Sequence, residues 1–283
     1  MTYVIVQVSD THLSPTHAYF DDNWQTFVDE MQALRPDLVI NTGDFSFNGP
    51  DVERDIQYAH QEAERLNLPY LAIPGNHDVG EPGDNPRLKQ PVNDARLNTW
   101  KSYFGDDRFI RDIENWRLFG INSELLGSNL DAEHRQWEFL EDVLANSDGR
   151  ALGLFSHKPL YQKIPDEDIS KWAILPEPRA RLLKLLSAHK VRFVASGHLH
   201  RYRYTSFEGL DLIWCPTTAF ITPSLKNDGC ARRVGYLKWT FDGRDVRHEF
   251  IEPTGFINHD MTWRTKKFGT TISLPPNPLA AAE

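Results

Sequence analysis

The chain is poor in cysteine. Its 283 residues include two, Cys215 and Cys230. Neither belongs to a CxxC pair, so nothing suggests a disulfide framework or a thiolate metal site, and a reduced, cytoplasmic setting is the simpler expectation. Net positive charge is also missing. Lys and Arg number 31 against 40 Asp and Glu, for a formal charge of -9. A surface of that sign repels the phosphates of long nucleic acids, so no nucleic-acid polymer is expected as a partner. A small phosphate ester is not excluded, because bound cations reverse the sign locally. No apolar run approaches the roughly 18 residues of a membrane span, so no membrane partner is expected. Met1–Val8 has no basic leader and no small-residue cleavage site. It runs straight into Asp10 and reads as a first strand. Internal repeats and low-complexity blocks are lacking as well.

What the chain does have is a pattern. Hydrophobic residues make up 40% and charged residues 25%, enough for one large domain with a sizeable core. Short apolar runs at Tyr3–Val8, Leu38–Asn41, Tyr70–Ile73, Leu118–Ile121, Leu152–Phe155 and Phe193–Ala195 predict buried strands. Between them Trp24, Phe27, Val28, Met31 and Leu34 share one face at helical spacing, as do Val52, Ile56, Ala59, Ala63 and Leu66. Trp137, Leu140 and Leu144 mark a third helix, and Leu182, Leu183 and Leu186 a fourth. After His200 the period changes. Tyr202–Phe207, Leu210–Trp214, Val234–Phe241 and Val246–Ile251 predict a meander that completes a second sheet, with turns at Glu208-Gly209 and Asp242-Gly243. Gly80–Lys101 predicts a long loop with a short helix. The expected division is a catalytic domain over residues 1–252 and an irregular tail over 253–283.

The chemistry-bearing residues fall directly after strands. The first predicted strand leads into Asp10-Thr11-His12, the second into Gly43-Asp44 and the third into Gly75-Asn76-His77-Asp78. The fifth ends at His157, and the sixth leads into Gly197-His198-Leu199-His200. Open α/β sheets bind ligands beyond the carboxyl ends of their strands. Each piece alone has an ordinary explanation: a Gly-Asp turn, or a hydrogen-bonded structural histidine. The His198 and His200 pair on a tight loop is the strongest single signal. Five such pieces in order, each at a strand end, are not ordinary. Imidazole and carboxylate groups suit borderline and hard divalent cations. Seven donors exceed what one catalytic metal with an open position takes, and suit two metals about 3.5–4 Å apart sharing a carboxylate.

The order D-x-H, G-D, G-N-H-D, H, G-H-x-H resembles the calcineurin-like metallophosphoesterases. It is most similar to the class III cyclic nucleotide phosphodiesterases and the bacterial glycerophosphodiesterases. The resemblance implies an α/β layered fold of two mixed sheets packed as a sandwich and flanked by helices. It implies that Asp10, His12 and His200 hold one metal, that Asn76, His157 and His198 hold the other, and that Asp44 bridges them. His77 becomes the unliganded catalytic histidine, with Asp78 orienting it. The implied activity is hydrolysis of small phosphodiesters, 3',5'-cyclic nucleotides or glycerophosphodiesters, by a metal-bridging hydroxide. The implied cofactors are two divalent ions, iron, manganese or zinc. A phosphomonoesterase or phosphonate-ester hydrolase of the same fold is the alternative, and a non-catalytic scaffold ranks below both because no ligand is missing. Ser156-His157-Lys158-Pro159 departs from the paired His-His of some members.

The periphery is less informative. Arg87, Lys89, Arg96 and Lys101 could grip a second phosphate, but a solvated loop is the simpler account. His17 is equally a rim contact or a surface residue. Tyr161, Lys163 and Trp172 could cap the pocket, with packing the safer expectation. His60, His134, His189, His248 and His259 lack ligand spacing and are expected to be structural. Trp214, Phe220 and Trp239 leave a homo-oligomer open.

Overall fold

A computed structural model describes residues 2–83, 90–168, 172–222 and 229–260. In chain order the first half runs β1 (Thr2–Val8), α1 (Asp21–Leu34), β2 (Leu38–Asn41), α2 (Glu53–Glu64), β3 (Tyr70–Ala72), α3 (Asn76–Val79) and α4 (Asp94–Phe104). It continues through β4 (Phe109–Ile113), β5 (Trp116–Gly120), α5 (Asp131–Ala145) and β6 (Ala151–Ser156). The second half comprises α6 (Pro176–Ala188), β7 (Phe193–Ser196), β8 (Arg203–Phe207), β9 (Leu210–Trp214), β10 (Phe220–Ile221), β11 (Tyr236–Asp242), β12 (Asp245–Ile251) and β13 (His259–Asp260).

Two mixed sheets result. One is ordered β12-β11-β1-β2-β3 and the other β4-β5-β6-β7-β9-β8. β1 explains why the fold is layered. Its residues alternate sides, so Ile5 enters the apolar layer between the sheets with Leu237, Trp239, Phe155 and Phe193. Val6 and Val8 point the other way, onto Trp24, Phe27 and Met31 of α1 and Ala59 of α2. A strand buried on both faces reads as a continuous apolar run, which is the Tyr3–Val8 signature. The outer face of the second sheet is covered by Trp137 and Leu140 of α5 and Leu182 and Leu186 of α6. The expected helix-flanked sandwich is what forms.

The meander differs from expectation. β8 and β9 extend the second sheet beside β7, whereas β11 and β12 cross to the first, β11 lying antiparallel against β1 and β12 antiparallel against β11. Alternation along a strand says that it has two faces and not which sheet edge accepts it. β4, an edge strand with only its end residues Phe109 and Ile113 buried, escaped prediction because it has little apolar period to show. The Gly80–Lys101 loop carries a longer helix than expected: α4 begins behind the Asn93 cap, whose side chain accepts from Arg96 N at 3.0 Å. Beyond β12 the chain turns back, with Ile257 N donating to Asn23 Oδ1 at 2.7 Å and β13 pairing β10. The rest of the predicted tail, 261–283, lies outside the described residues, as do Arg87 and Lys89. Among the described residues no helix is long and apolar enough to cross a membrane.

Candidate metal centre

Parallel β1, β2 and β3, and parallel β6 and β7, direct their carboxyl ends to one rim. The loops leaving them are tied to one another by main-chain bonds. Asp10 N donates to Gly43 O at 3.0 Å, His12 N to Asp44 O at 3.0 Å, and Gly197 N to His157 O at 2.9 Å. The turns are tight enough that Asp10, His12, Asp44, His198 and His200 all take positive φ, between 48° and 69°. Asp and His are among the non-glycine types that tolerate this region best. Glycine is required beside them by close approach. A Cβ on Gly197 would lie 1.9 Å from Ser9 Oγ, and one on Gly75 would lie 2.3 Å from Asp44 Oδ1.

The seven candidate ligands and His77 all arrive at this rim. The side-chain donors fall into three overlapping groups, each within 4.8 Å: Asp10, His12 and His200; His12, Asp44 and His77; and Asp44, His157 and His198. Asn76 joins through Oδ1, 3.3 Å from His157 Nε2. The Asp44 carboxylate stands in the middle, with Oδ2 3.9 Å from His12 Nε2 and Oδ1 3.3 Å from His157 Nε2. Asp10 also accepts from His198 N at 3.0 Å, and Asp44 Oδ1 from His77 N at 2.7 Å.

The histidine tautomers follow from their outer contacts, because a carbonyl can only accept. Nδ1–H of His157 goes to Thr42 O at 2.8 Å, that of His200 to Phe220 O at 2.7 Å and that of His77 to Phe47 O at 2.7 Å. Each ring then turns its Nε2 lone pair inward. For His157 that lone pair meets two acceptors, Asp44 Oδ1 and Asn76 Oδ1. His200 Nε2 meets His12 Nε2 at 3.2 Å and Asp10 Oδ1 at 3.4 Å. His12 Nδ1 is buried with no hydrogen-bond partner. Acceptors aimed at acceptors in a buried pocket need a proton or a cation between them. The residues present fit divalent cations in donor type and in direction.

The electrostatics tell the same story. Burial raises the carboxyl of Asp44, but His157 and His77 outweigh it and hold it well below the usual range. Burial lowers His157, yet Asp44, then Asp10 and Glu124, carry it to about 10, which measures how strongly that position calls for positive charge. Burial and then His77 push His12 well below its ordinary value, against Asp44, leaving a neutral ring able to act as a ligand. Behind His157 the buried Lys158 pairs with Glu124 at 2.9 Å and lies 3.7 Å from Glu81.

Asp78 behaves differently from expectation. It makes no bond to the His77 ring. Its carboxylate instead accepts from Gly75 N at 2.9 Å, Ser46 N at 2.8 Å, Ser46 Oγ at 2.7 Å and Phe45 N at 3.2 Å. It therefore fixes the loop whose Phe47 carbonyl orients His77. Burial, and then the Asp44 charge, raise Asp78 to about 6. Sequence reasoning passed over Thr42, Phe47 and Phe220 because they act through main-chain carbonyls, which leave no mark in residue type. Among the peripheral candidates, Arg96 is engaged by Asp51 at 2.9 Å and Lys101 lies 3.7 Å from Asp107. Tyr161 is core, and His17 stacks on Phe47. Trp172 stands beside His198. A cavity of about 530 Å³ lined by Leu183, Lys190 and Phe207 lies at the opposite end of the second sheet, away from all of these groups.

A two-sheet sandwich with a buried carboxylate and imidazole cluster beyond its strand ends is the architecture of a metal-dependent hydrolase. The family described as calcineurin-like phosphoesterase matches residues 3–202, and the chain belongs to it. It is a metal-dependent phosphoester hydrolase. A probable glycerophosphodiester phosphodiesterase of Arcobacter nitrofigilis is 29% identical over 222 residues, 71% of this chain and 73% of that one. A probable cyclic nucleotide phosphodiesterase of Synechococcus is 25% identical over 243 residues, 77% of this chain and 82% of its own. The solved purple acid phosphatase of yellow lupin superposes with a TM-score of 0.64 at 16% identity, covering 89% of this chain and 52% of the lupin chain. That last likeness speaks for the fold alone.

Proposed function

We propose that this enzyme hydrolyses small phosphodiesters, 3',5'-cyclic nucleotides or glycerophosphodiesters, at a centre of two divalent cations. Asp10, His12 and His200 would hold one, Asn76, His157 and His198 would hold the other, and Asp44 would be shared between them. The position of the Asp44 carboxylate, one oxygen toward His12 and the other toward His157, carries this assignment. The names of the Arcobacter and Synechococcus relatives support the diester. Iron, manganese and zinc all suit the donor set.

When bound, the two cations supply charge neutralisation for the phosphoryl oxygens and a hydroxide nucleophile near neutral pH. The protein's part is positional. The carbonyls of Thr42, Phe47 and Phe220 set which nitrogen each ring offers. His77 keeps Nδ1–H on Phe47 and presents Nε2 to the space shared with His12 and Asp44. When Nε2 also carries a proton, His77 donates it to a phosphoryl oxygen or to the leaving alkoxide. No covalent phosphoenzyme is needed.

The test is hydrolysis of bis(p-nitrophenyl) phosphate against p-nitrophenyl phosphate on the manganese-reconstituted wild type and on Asn76→Ala. Preference for the diester, lost in Asn76→Ala, is the expected result. Preference for the monoester would make the enzyme a phosphatase, and inactivity with manganese, iron and zinc alike would remove the catalytic assignment.

A further inference from the structure

Lys158 is a charged residue with no part in the catalytic assignment, yet its side chain is only 1% exposed. Its ammonium lies 2.9 Å from Glu124, which is fully buried, and 3.7 Å from Glu81, which is 26% exposed. An ion pair taken out of water adds little net stability, because desolvation offsets the attraction; fixing the relative place of two segments is its better-supported use. The segments joined here belong to different sheets. Glu81 comes just past α3, the one-turn helix that Asn76 opens after β3 of the first sheet. Glu124 sits in the turn after β5, and Lys158 follows His157 at the end of β6, both strands of the second sheet. Lys158 N also donates to Ser123 Oγ at 2.9 Å. The Lys158–Glu81 contact therefore crosses between the same two segments as the meeting of Asn76 Oδ1 and His157 Nε2 at 3.3 Å.

We propose that Lys158 is a positioning residue: with Glu81 and Glu124 it clamps the two sheets at the separation in which Asn76 and His157 share a cation. This deepens the two-cation reading of the centre and rests on it. Asn76 and His157 arrive from opposite sheets, so their spacing is only as well fixed as the sheets are. Two acceptors aimed at each other push apart when nothing lies between them, and the clamp, one residue from His157, opposes that spread. The Asp10, His12 and His200 group has a cross-sheet tie of its own, the bond from His198 N to Asp10 Oδ2 at 3.0 Å. It does not depend on Lys158.

The experiment is a calorimetric titration of the metal-free full chain with manganese alone. Asn76→Ala identifies the binding phase that belongs to Asn76, His157 and His198. Glu81→Ala removes the arm on the first sheet and leaves the Lys158–Glu124 pair to keep the fold. It weakens that phase about 10–100-fold, the range for a group that orients a ligand from outside, and leaves the other phase unchanged. Lys158→Met combined with Glu124→Gln keeps the net charge and leaves neither buried partner charged, and it weakens the same phase. In that background Glu81→Ala costs nothing more, because the contact it would break is already gone. A phase unmoved by Glu81→Ala overturns the clamp, as does weakening of both phases alike. A further loss of equal size in the double-variant background also overturns it, since Glu81 would then act through its charge and not through Lys158. If Asn76→Ala removes no phase at all, the two-cation reading fails and the clamp fails with it, whereas a phase that Asn76 owns and Glu81→Ala leaves alone removes the clamp only.

Discussion

The layer between the sheets and the rim above it are a short distance apart and obey opposite rules. Between the sheets, Phe193 stacks on Trp239 at 4.8 Å and meets Phe155 edge-on at 5.6 Å. Trp239 Nε1 donates to Gln7 Oε1, and Gln7 Nε2 to Thr42 Oγ1, so this part of the layer satisfies itself. At the rim five side chains hang from left-handed backbone, and lone pairs face lone pairs. Each such backbone position costs about 1–3 kcal/mol unless the surroundings hold it. The Trp239–Gln7–Thr42 chain is satisfied as the protein folds, whereas the rim leaves donors of one kind facing one another, an arrangement that suits cations. Stability and function are thus drawn from different residues of the same strands, a local inconsistency of the kind that marks functional sites.

Asp44 should separate the two regions most sharply. In Asp44→Ala both metals are lost and activity falls to background, because the one carboxylate shared by both sides is gone. Metal content by elemental analysis checks this, and two tightly held ions in the variant would end the bridging role. His77→Ala comes next. Turnover should drop about 10²–10⁴-fold, the usual worth of a positioned acid–base group, with metal content kept. Metal lost in step with activity would make His77 a ligand, consistent with its grouping with His12 and Asp44. Leu237→Ala tests the other region. Leu237 is fully buried between the sheets, so unfolding free energy should fall by about 2–5 kcal/mol. Metal content and kcat per folded molecule should not follow, and if they do, core and rim are not separable.

The same contrast explains what the sequence disclosed. The strands and helices of the body were legible because burial on one or two faces leaves a period in the residue types, as along β1 and α1. The candidate cluster was legible because Asp10, His12, Asp44, Asn76, His157, His198 and His200 follow strand ends in order. What stayed hidden acts without side-chain pattern. The carbonyls of Thr42, Phe47 and Phe220 could be any residue's. The path of β11 and β12 into the first sheet depends on which edge is open. The task of Asp78, holding the loop and not the ring, depends on where Ser46 and Phe45 point their N–H groups.

The smallest expected effect concerns His248, which the sequence pattern treats as structural and which lies on β12 against the core. Its Nε2 lies 3.1 Å from Tyr202 Oη, and its ring is 5.1 Å from Trp239. Burial lowers its pKa, with Asp211 pulling weakly the other way. In the unfolded chain the imidazole takes a proton near pH 6.5, whereas the folded protein resists it. Below about pH 6.5 the unfolded state therefore binds more protons, and stability falls as pH drops toward the depressed folded value; above it His248 contributes no slope. His248→Phe should flatten this limb slightly. All other groups are common to both proteins, so the difference between wild type and His248→Phe in thermal midpoint, followed from about pH 7.5 to 5.5, isolates the His248 contribution. A difference that stays constant over that range would mean that His248 titrates alike in both states, and that the apolar layer reaches less far across β12 than its packing on Trp239 indicates.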